Sequence, residues 1–326
     1  MPNKVEQFLQ QAEFSAVSIE NKIENTDINQ LVDVVLGRSD CILFGPPGTS
    51  KTFMIDSLAD RLGNNLGLFK IIQFHTGYSY EEFIEGIVPD VDKGGFKYES
   101  GVFLNFCIEA AKNEYKDKIC LFVIDEINRA NVTAVFGEIM YLMENKGRRS
   151  LKTSKQKIDF IIPQNVVIVG TMNTADKTLA KLDFAFRRRF RFLAVYPSDT
   201  VLHTIVSKAS FAPELDLTIE EYVDCFNILN AKITRHPLLG KNLTLGHVLW
   251  IRKNDMITPY TKEDIGRIFT ETIFPQIESY CGFNKEVLGA LLGPKLRDKI
   301  MYGYSINCDE VIEFLSGLKN SKAVNA

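Results

Sequence analysis

The sequence predicts an α/β fold in which a mainly parallel five-stranded sheet lies between helices and is followed by a smaller helical domain. Five compact apolar runs alternate with helical stretches, a glycine-rich turn follows the first run, and the runs cease from Tyr196 and Pro197 onward. Buried parallel strands are continuously apolar because helices cover both faces of such a sheet. We expect a leader helix at 1–25, an α/β domain at 26–196 and a helical lid domain at 197–326.

The strands and helices follow from local patterns. The apolar runs are CILF, FKIIQF, ICLFVI, VVIVG and FRFLAV, at 41–44, 69–74, 119–124, 166–170 and 190–195. Before the first run, residues 27–36 have helical spacing, with Thr26 or Asp27 as the cap and Gly37 at the end. After the glycine-rich turn, TFMIDSLADRL has helical spacing as well.

The second part of the chain is expected to be mostly helical. TIEEYVDCFNILNAKI opens with a T-x-x-E capping box at Thr218 and Glu221. Helical periodicity returns around 262–280 and 307–318. We place the boundary with the α/β domain near Tyr196.

Composition excludes several classes of protein. With 45% apolar residues in 326 and a net charge of -3, the chain is neither disordered nor drawn to nucleic acid by a global basic field. The six cysteines form no C-x-x-C pair, so we expect reduced packing thiols and neither zinc nor disulfides. Signal-peptide patterns and apolar stretches of about 18 residues are lacking, which predicts a cytoplasmic protein without a membrane segment.

The segment FGPPGTSKT, at 44–52, resembles the phosphate-binding pattern G-x-x-x-x-G-K-[ST], with Ser50 at the second glycine. Backbone N–H groups of such a loop surround phosphates, the lysine neutralises them and the hydroxyl binds Mg²⁺. Lys51 and Thr52 match the last two roles. If the φ angle of Ser50 is negative, the serine costs little. The predicted nucleotide-binding residues here are Gly45, Pro46, Pro47, Gly48, Thr49, Ser50, Lys51, Thr52 and Phe53.

Two acids end the apolar run LFVIDE about 70 residues after the loop. We expect Asp125 to hold the Mg²⁺, through water, and Glu126 to polarise the attacking water. Alone, the pair would be typical of a solvated strand end. Behind a phosphate loop, it predicts hydrolysis.

A third element is VVIVGTMNTADKTLAKLDFAFRRRF, at 166–190. Asn173 follows an apolar strand, where its amide could orient the water opposite the terminal phosphate. Arg187, Arg188 and Arg189 precede the next strand. An arginine triplet is often a solvated face, but in this context a phosphate-sensing arginine that reaches a neighbouring subunit is the better interpretation.

The order of loop, acidic strand, asparagine strand and arginines before a helical lid resembles the AAA+ P-loop NTPases. More narrowly, four segments resemble the McrB family, the nucleotide-driven motor of modification-dependent restriction systems. They are YSYEEFIEG, DEINRAN, MNTAD and LDFAFRRRF, at 78–86, 125–131, 172–176 and 182–190. The similarity covers about residues 25–290.

The resemblance implies a hexameric ring with nucleotide between subunits and a preference for GTP, with ATP possible. It assigns Asn173 and Asp176 to a signature that supports hydrolysis, and Arg188 and Arg189 to the subunit boundary. LTLGHVLW, at 243–250, resembles the sensor region of the lid and would place His247 near the phosphates. A packed structural histidine is an equally good interpretation.

This sequence departs from the family pattern in three ways. Ser50 replaces the loop glycine, although small residues also occur there in related MoxR-like and MCM-like groups. Lys177 and Thr178 replace the usual Arg-Ser after MNTAD, which loses the bidentate fork and puts the rate and the GTP preference in doubt. Only about 25 residues precede the first helix of the domain, so we expect that this chain does not itself read a modified base.

The leading hypothesis is therefore an NTPase that drives a partner nuclease in a McrBC-like restriction or antiviral defence system. We find no nuclease motif, so cleavage would belong to a McrC-like partner, and DNA would be reached through a partner. Two alternatives are a MoxR-like ATPase that remodels proteins, against which MNTAD argues, and a nucleotide-gated scaffold with little turnover. Glu126 and Asn173 argue against the scaffold, which does not need residues that orient water.

Overall fold

The structure is a computed structural model that describes residues 26–90, 92, 94–176, 182–252, 258–282 and 284–323. The predicted leader helix at 1–25 lies outside these ranges.

All five predicted strands are present and form one parallel sheet. In chain order, the strands are β1 Cys41–Gly45, β2 Leu66–Gln73, β3 Glu85–Pro89, β4 Phe96–Ser100, β5 Ile119–Asp125, β6 Leu151–Lys152, β7 Asp159–Phe160, β8 Val166–Asn173 and β9 Arg191–Ala194. The sheet has the order β2-β5-β8-β1-β9, and each neighbouring pair is parallel. This confirms the predicted sheet and places β1 and β5 on either side of β8.

Helices flank the sheet and make up most of the second part. They are α1 Ile28–Leu36, α2 Lys51–Leu62, α3 Tyr80–Phe83, α4 Val102–Ala110, α5 Val132–Phe136, α6 Met140–Met143, α7 Phe184–Arg187, α8 Asp199–Val206, α9 Ile219–Arg235, α10 Lys262–Ile268, α11 Phe274–Cys281, α12 Lys285–Tyr302 and α13 Cys308–Ala323. A π-helical turn joins α10 to α11. None of the helices within the described ranges is long and apolar enough to cross a membrane.

The predicted caps are present. Asp27, rather than Thr26, caps α1 by accepting a hydrogen bond from the backbone N–H of Gln30 at 2.8 Å. Thr218 and Glu221 form the predicted capping box of α9, each side chain accepting from the other residue's N–H. Such boxes satisfy N–H groups that have no partner within the helix.

Alternate residues of the strands face two apolar cores. Ile42, Phe122 and Ile168 belong to the core on one face, and Leu43 and Val123 to the core on the other. A third core, in the helical part, contains buried residues from 202 to 318. The domain bounds themselves stay a prediction.

Two hairpins lie outside the five-stranded sheet and were not predicted. β3 pairs with β4, and β6 pairs with β7, both antiparallel. The buried Glu85 joins them, because its carboxylate accepts from the N–H groups of Lys155 at 2.5 Å and Gln156 at 3.1 Å. Residues of β4 are mostly exposed, and Phe96 is 78% exposed. The hairpin strands therefore lack the buried apolar runs by which the strands of the sheet were predicted.

Candidate active site

The predicted site residues converge because β1, β5 and β8 are neighbours and parallel. Their carboxyl ends meet at one edge of the sheet, where open α/β sheets bind ligands. A cavity of 390 Å³ lies there, lined by residues 47–53 together with Asp125, Glu126, Thr171 and Asn173. The loop, the acids and the asparagine are thus brought together within one chain.

The backbone of the phosphate loop differs from the sequence-based expectation at Ser50. Ser50 has a φ of +65°, in the left-handed region, so the expected negative angle is wrong. Gly48 also has a positive φ, +73°. The left-handed turn just before α2 explains why glycine is usual at position 50, and a side chain there costs about 1–2 kcal/mol.

Lys51 lies folded into the loop. Its Nζ donates to the carbonyl oxygens of Gly45 at 3.0 Å and Pro46 at 2.8 Å. Burial lowers the pKa of Lys51 to about 8, although Glu126 and Asp125 act in the opposite direction. The hydrogen bonds hold the ammonium within the loop, where phosphates would bind. Its pKa lies slightly above neutral pH.

Thr171 connects the two acids and was missed by sequence reasoning. Its hydroxyl donates to Asp125 Oδ1 at 2.6 Å and accepts from the N–H of Glu126 at 3.0 Å. Thr171 is buried in β8, next to β5. Thr171 lies 46 positions after Asp125 and 45 after Glu126, so only the sheet order could have revealed these contacts.

Glu126 presents a carboxylate oxygen without a hydrogen bond. Among the described residues, its buried Oε2 has no hydrogen-bond partner and lies 3.5 Å from Nε of Arg129. The φ of Glu126 is +54°, a left-handed conformation that turns the chain sharply at the end of β5. A buried carboxylate oxygen with spare acceptor capacity suits a residue that polarises water.

The asparagine strand is anchored to the same turn. Asn128 donates through Nδ2 to the carbonyl oxygen of Asn173 at 3.3 Å, and Asn173 Oδ1 accepts from the N–H of Ala175 at 3.1 Å. Asn173 also borders a second cavity of 450 Å³, which contains Asp176 and the lid residue Tyr280. Asp176 therefore lies beside the first cavity rather than on its wall.

Mg²⁺ prefers oxygen ligands such as carboxylates and hydroxyls. Asp125 and Thr52, the two residues that the sequence assigns to Mg²⁺, border the same cavity and supply a carboxylate and a hydroxyl. The donor set present fits the ion that the sequence predicts.

The comparisons with known proteins agree with this geometry. Residues 40–190 match the family model "AAA domain (dynein-related subfamily)". The chain is 36% identical over 269 residues to the "Type IV methyl-directed restriction enzyme EcoKMcrB subunit" of Escherichia coli K12, covering 79% of this chain and 57% of that protein. This chain is a McrB-like AAA+ protein.

A second relative of this McrB-like protein is the "Type II restriction enzyme BsuMI component YdiS" of Bacillus subtilis 168. The two are 30% identical over 194 residues, 46% of this chain and 55% of that protein. The McrB-like chain thus spans about half the length of the relatives it matches. A solved structure from Cytophaga hutchinsonii aligns over 88% of this chain and 87% of its own at 14% identity and a TM-score of 0.38, a likeness too weak to inform the fold.

His247 of this McrB-like protein lies against the loop, not in the cavity. It is 3% exposed, and its Nε2 lies 2.8 Å from the hydroxyl of Ser50. Its Nδ1 accepts from the N–H of Ser198 at 3.3 Å. Burial lowers the pKa of His247 to about 4, so the ring is neutral. Contact with the phosphates stays a prediction.

The arginines of the McrB-like chain lie apart from the cavity and differ from one another. Arg189 is 9% exposed at its side chain, and it donates to the carbonyl oxygens of Met140 at 2.8 Å and of Ala185. Arg188 is 65% exposed, and its Nε lies 3.2 Å from Glu144, which also pairs with Arg189. Of these two arginines, Arg188 is the more accessible to another molecule.

The two arginines line a separate polar cavity of 440 Å³ at the amino ends of the strands. The basic residues there are Arg38, Lys146, Arg148, Arg188, Arg189 and Arg191, against two acids, Asp40 and Glu144. Asp40 is already paired with Lys146 at 2.5 Å. Lys177 and Thr178, where the sequence departs from the family pattern, lie outside the described residues.

Proposed function

We propose that this protein binds a nucleoside triphosphate and hydrolyses it, as the ring-forming motor of a restriction or antiviral defence system. One observation carries the proposal. Lys51, the acid pair and Asn173 border one cavity at the carboxyl edge of the sheet. Nucleotide binding alone would not require a carboxylate and an amide placed to orient water.

Each residue has a role in the proposed reaction. Lys51 would leave the carbonyl oxygens of its own loop and neutralise the phosphates, while the N–H groups at the start of α2 surround them. Thr52 and Asp125 would hold Mg²⁺, which when bound offsets the charge of the phosphates. Glu126 would take a proton from the attacking water, and Asn173 would fix that water opposite the terminal phosphate.

Thr171 would keep the acids in their two different roles. By donating to Asp125, its hydroxyl fixes the orientation of that carboxylate. By accepting from the N–H of Glu126, it fixes the backbone of the residue that must point at water. Positioning of this kind contributes to catalysis because reacting groups must be held within a fraction of an ångström.

We further propose GTP as the preferred nucleotide and a hexameric ring as the active assembly. The nuclease would be a McrC-like partner, through which DNA is reached. The names of the two relatives, a subunit and a component of restriction enzymes, support a partner in this sense. The exposed Arg188 supports an assembly in which it reaches a neighbouring copy.

Phosphate release with GTP and with ATP, each with Mg²⁺, tests the proposal on wild type and Lys51→Ala, with light scattering in the same buffers. We expect turnover with GTP, a nucleotide-dependent ring, and neither in the Lys51→Ala variant. Selective turnover of ATP would overturn the GTP preference and favour a remodelling ATPase. Tight binding with no turnover, even with a McrC-like partner added, would favour the scaffold.

A further inference from the structure

A hydrogen bond joins the phosphate loop to the lid domain across 197 positions of sequence. The hydroxyl of Ser50, on the loop, lies 2.8 Å from Nε2 of His247. His247 begins a short turn, His247–Trp250, in the predicted lid. The residue that departs from the phosphate-loop pattern is therefore the residue that contacts the lid.

The direction of this hydrogen bond follows from the other ring nitrogen. Nδ1 of His247 accepts from the N–H of Ser198, so it carries no proton. A neutral imidazole then has its proton on Nε2, which donates to the Ser50 hydroxyl. Both nitrogens of His247 are used, one on the loop and one at the cap of α8.

Backbone contacts bring the same two segments together. The N–H of Val248 donates to the carbonyl oxygen of Gly48 at 2.9 Å. A Cβ added to Gly246 would lie 2.1 Å from the carbonyl carbon of Gly48, so this approach is possible only without a side chain. The lid turn packs directly on the backbone that would surround the phosphates.

The conformation of Ser50 indicates why the hydroxyl is there. A glycine would adopt the φ of +65° without strain, whereas a serine does so at a cost. Although Ser50 is the N-cap of α2, its side chain makes no capping hydrogen bond. What the side chain adds at this position is the bond to His247.

We propose that Ser50 is a positioning residue that couples occupancy of the phosphate loop to the position of the lid. The inference rests on the proposed nucleotide binding and adds the contact through which the phosphate loop would act on the lid. A nucleotide that sets the backbone of the loop also sets the direction of the Ser50 side chain, and through it the imidazole of His247. A glycine at position 50 would allow the same loop but would leave the lid turn with its backbone contacts alone.

The chain contains its own probe for this coupling. Trp250, the one tryptophan of the sequence, ends the same turn that His247 begins. It is fully buried in the lid, against the rings of Tyr222, Phe226 and Phe269. Movement of the lid turn relative to its core would change the emission of this single residue.

The experiment compares the wild-type chain with Ser50→Gly, Ser50→Ala, His247→Gln and the double variant Ser50→Ala/His247→Gln. Ser50→Gly removes the strain and the hydroxyl, whereas Ser50→Ala removes the hydroxyl alone. Trp250 emission is titrated with GTP and ATP, and kcat and KM are measured on the same samples. Thermal unfolding of each variant without nucleotide shows whether the fold is retained.

If Ser50 couples loop and lid, both serine variants lose most of the nucleotide-dependent change in emission, and kcat/KM falls about two- to tenfold, the range for one hydrogen bond. The double variant should be no worse than the single ones, because all of them remove the same contact. Effects of the two substitutions that simply add would overturn the coupling.

The failures of the two proposals are distinguishable. Wild type that shows turnover and a change in emission, with Ser50→Gly and Ser50→Ala equal to it, overturns the coupling and leaves the proposed function standing. If wild type shows neither turnover nor a change in emission with GTP or ATP, both the proposed function and the coupling are overturned.

Discussion

The carboxyl edge and the amino edge of the sheet differ in which candidate catalytic residues they bring together within one chain. At the carboxyl edge, Lys51, Asp125, Glu126 and Asn173 meet around one cavity of a single chain. At the amino edge, basic residues outnumber the two acids around a separate cavity, which the phosphate loop does not line. Five-residue strands such as β1 separate the edges by about 17 Å, at about 3.3 Å per residue.

This contrast means that an arginine of the amino edge cannot serve the carboxyl edge of its own chain. If Arg188 acts on a phosphate, that phosphate belongs to another copy. The carboxyl edge is fixed by contacts within the chain, whereas a role of the amino edge in hydrolysis would require the proposed assembly. Four substitutions and one change of pH test this contrast, from the largest expected effect to the smallest.

The largest effect is expected from Glu126→Gln. It keeps the shape of the side chain but removes the base, so turnover should fall by about a thousandfold or more while nucleotide affinity stays within a few-fold of wild type. Single-turnover phosphate release and equilibrium binding measure the two quantities. Glu114→Gln, on an exposed turn, is the matched control. Unchanged hydrolysis would remove Glu126 as the residue that polarises water.

Arg188→Ala should lower hydrolysis by about tenfold to a hundredfold, and only under conditions in which the ring forms. Mixing this variant with Glu126→Gln subunits should restore part of the activity, because an intact arginine then faces an intact Glu126. Phosphate release across a series of mixing ratios measures the rescue. The absence of rescue at every ratio would contradict catalysis across the interface.

Arg189→Ala is the contrasting variant at the same edge. Its side chain is buried and donates to two backbone carbonyl oxygens, so its loss should lower the free energy of unfolding by about 1–3 kcal/mol. Chemical denaturation measures this. A variant with unchanged stability but lost hydrolysis would make Arg189, rather than Arg188, the residue that acts on the neighbour.

Thr171→Val tests the contact that holds the acids. It removes the hydroxyl with little change in shape, which leaves Asp125 without that donor and the N–H of Glu126 without that acceptor. We expect kcat to fall about tenfold, with a smaller change in KM. Thr153→Val is the control, because Thr153 is also buried and accepts a backbone N–H, but on the β6–β7 hairpin. Equal losses in both variants would indicate a general effect of the hydroxyl on stability.

The smallest effect is expected from pH. The pKa of Lys51 is about 8, and phosphates favour its protonated form, so nucleotide affinity should weaken as pH rises through that value. Between pH 7 and 9 the loss should be about tenfold in the dissociation constant. The pKa of His247 is about 4, so that ring stays neutral throughout. In Lys51→Ala the remaining affinity should not change over this interval, and the same slope in that variant would assign the titration elsewhere.

Sequence reasoning succeeded where the determinants are local. Apolar runs identified the five strands, and Asp27 and Thr218 identified helix starts, because a strand or cap depends on residues within a few positions. The McrB resemblance could be recognised because its motifs are short and contiguous, and the relative from Escherichia coli confirms it.

It failed where distant segments meet. The role of Thr171 depends on β8 lying beside β5. The φ of Ser50 depends on a loop conformation that the residue type alone does not predict. The contact of Ser50 with His247 could not be read from either segment alone. The hairpins were missed because their strands are mostly exposed and carry charged residues among the apolar ones.

The close approach of Gly246 to Gly48 has a consequence for mutational screens. Any side chain at position 246 would overlap the backbone of Gly48, so nearly all replacements should inactivate the protein. A library scored only for loss of activity would therefore rank Gly246 beside Lys51, although Gly246 does not border the cavity. Intolerance to substitution along this chain reports steric fit between loop and lid as readily as contact with a ligand.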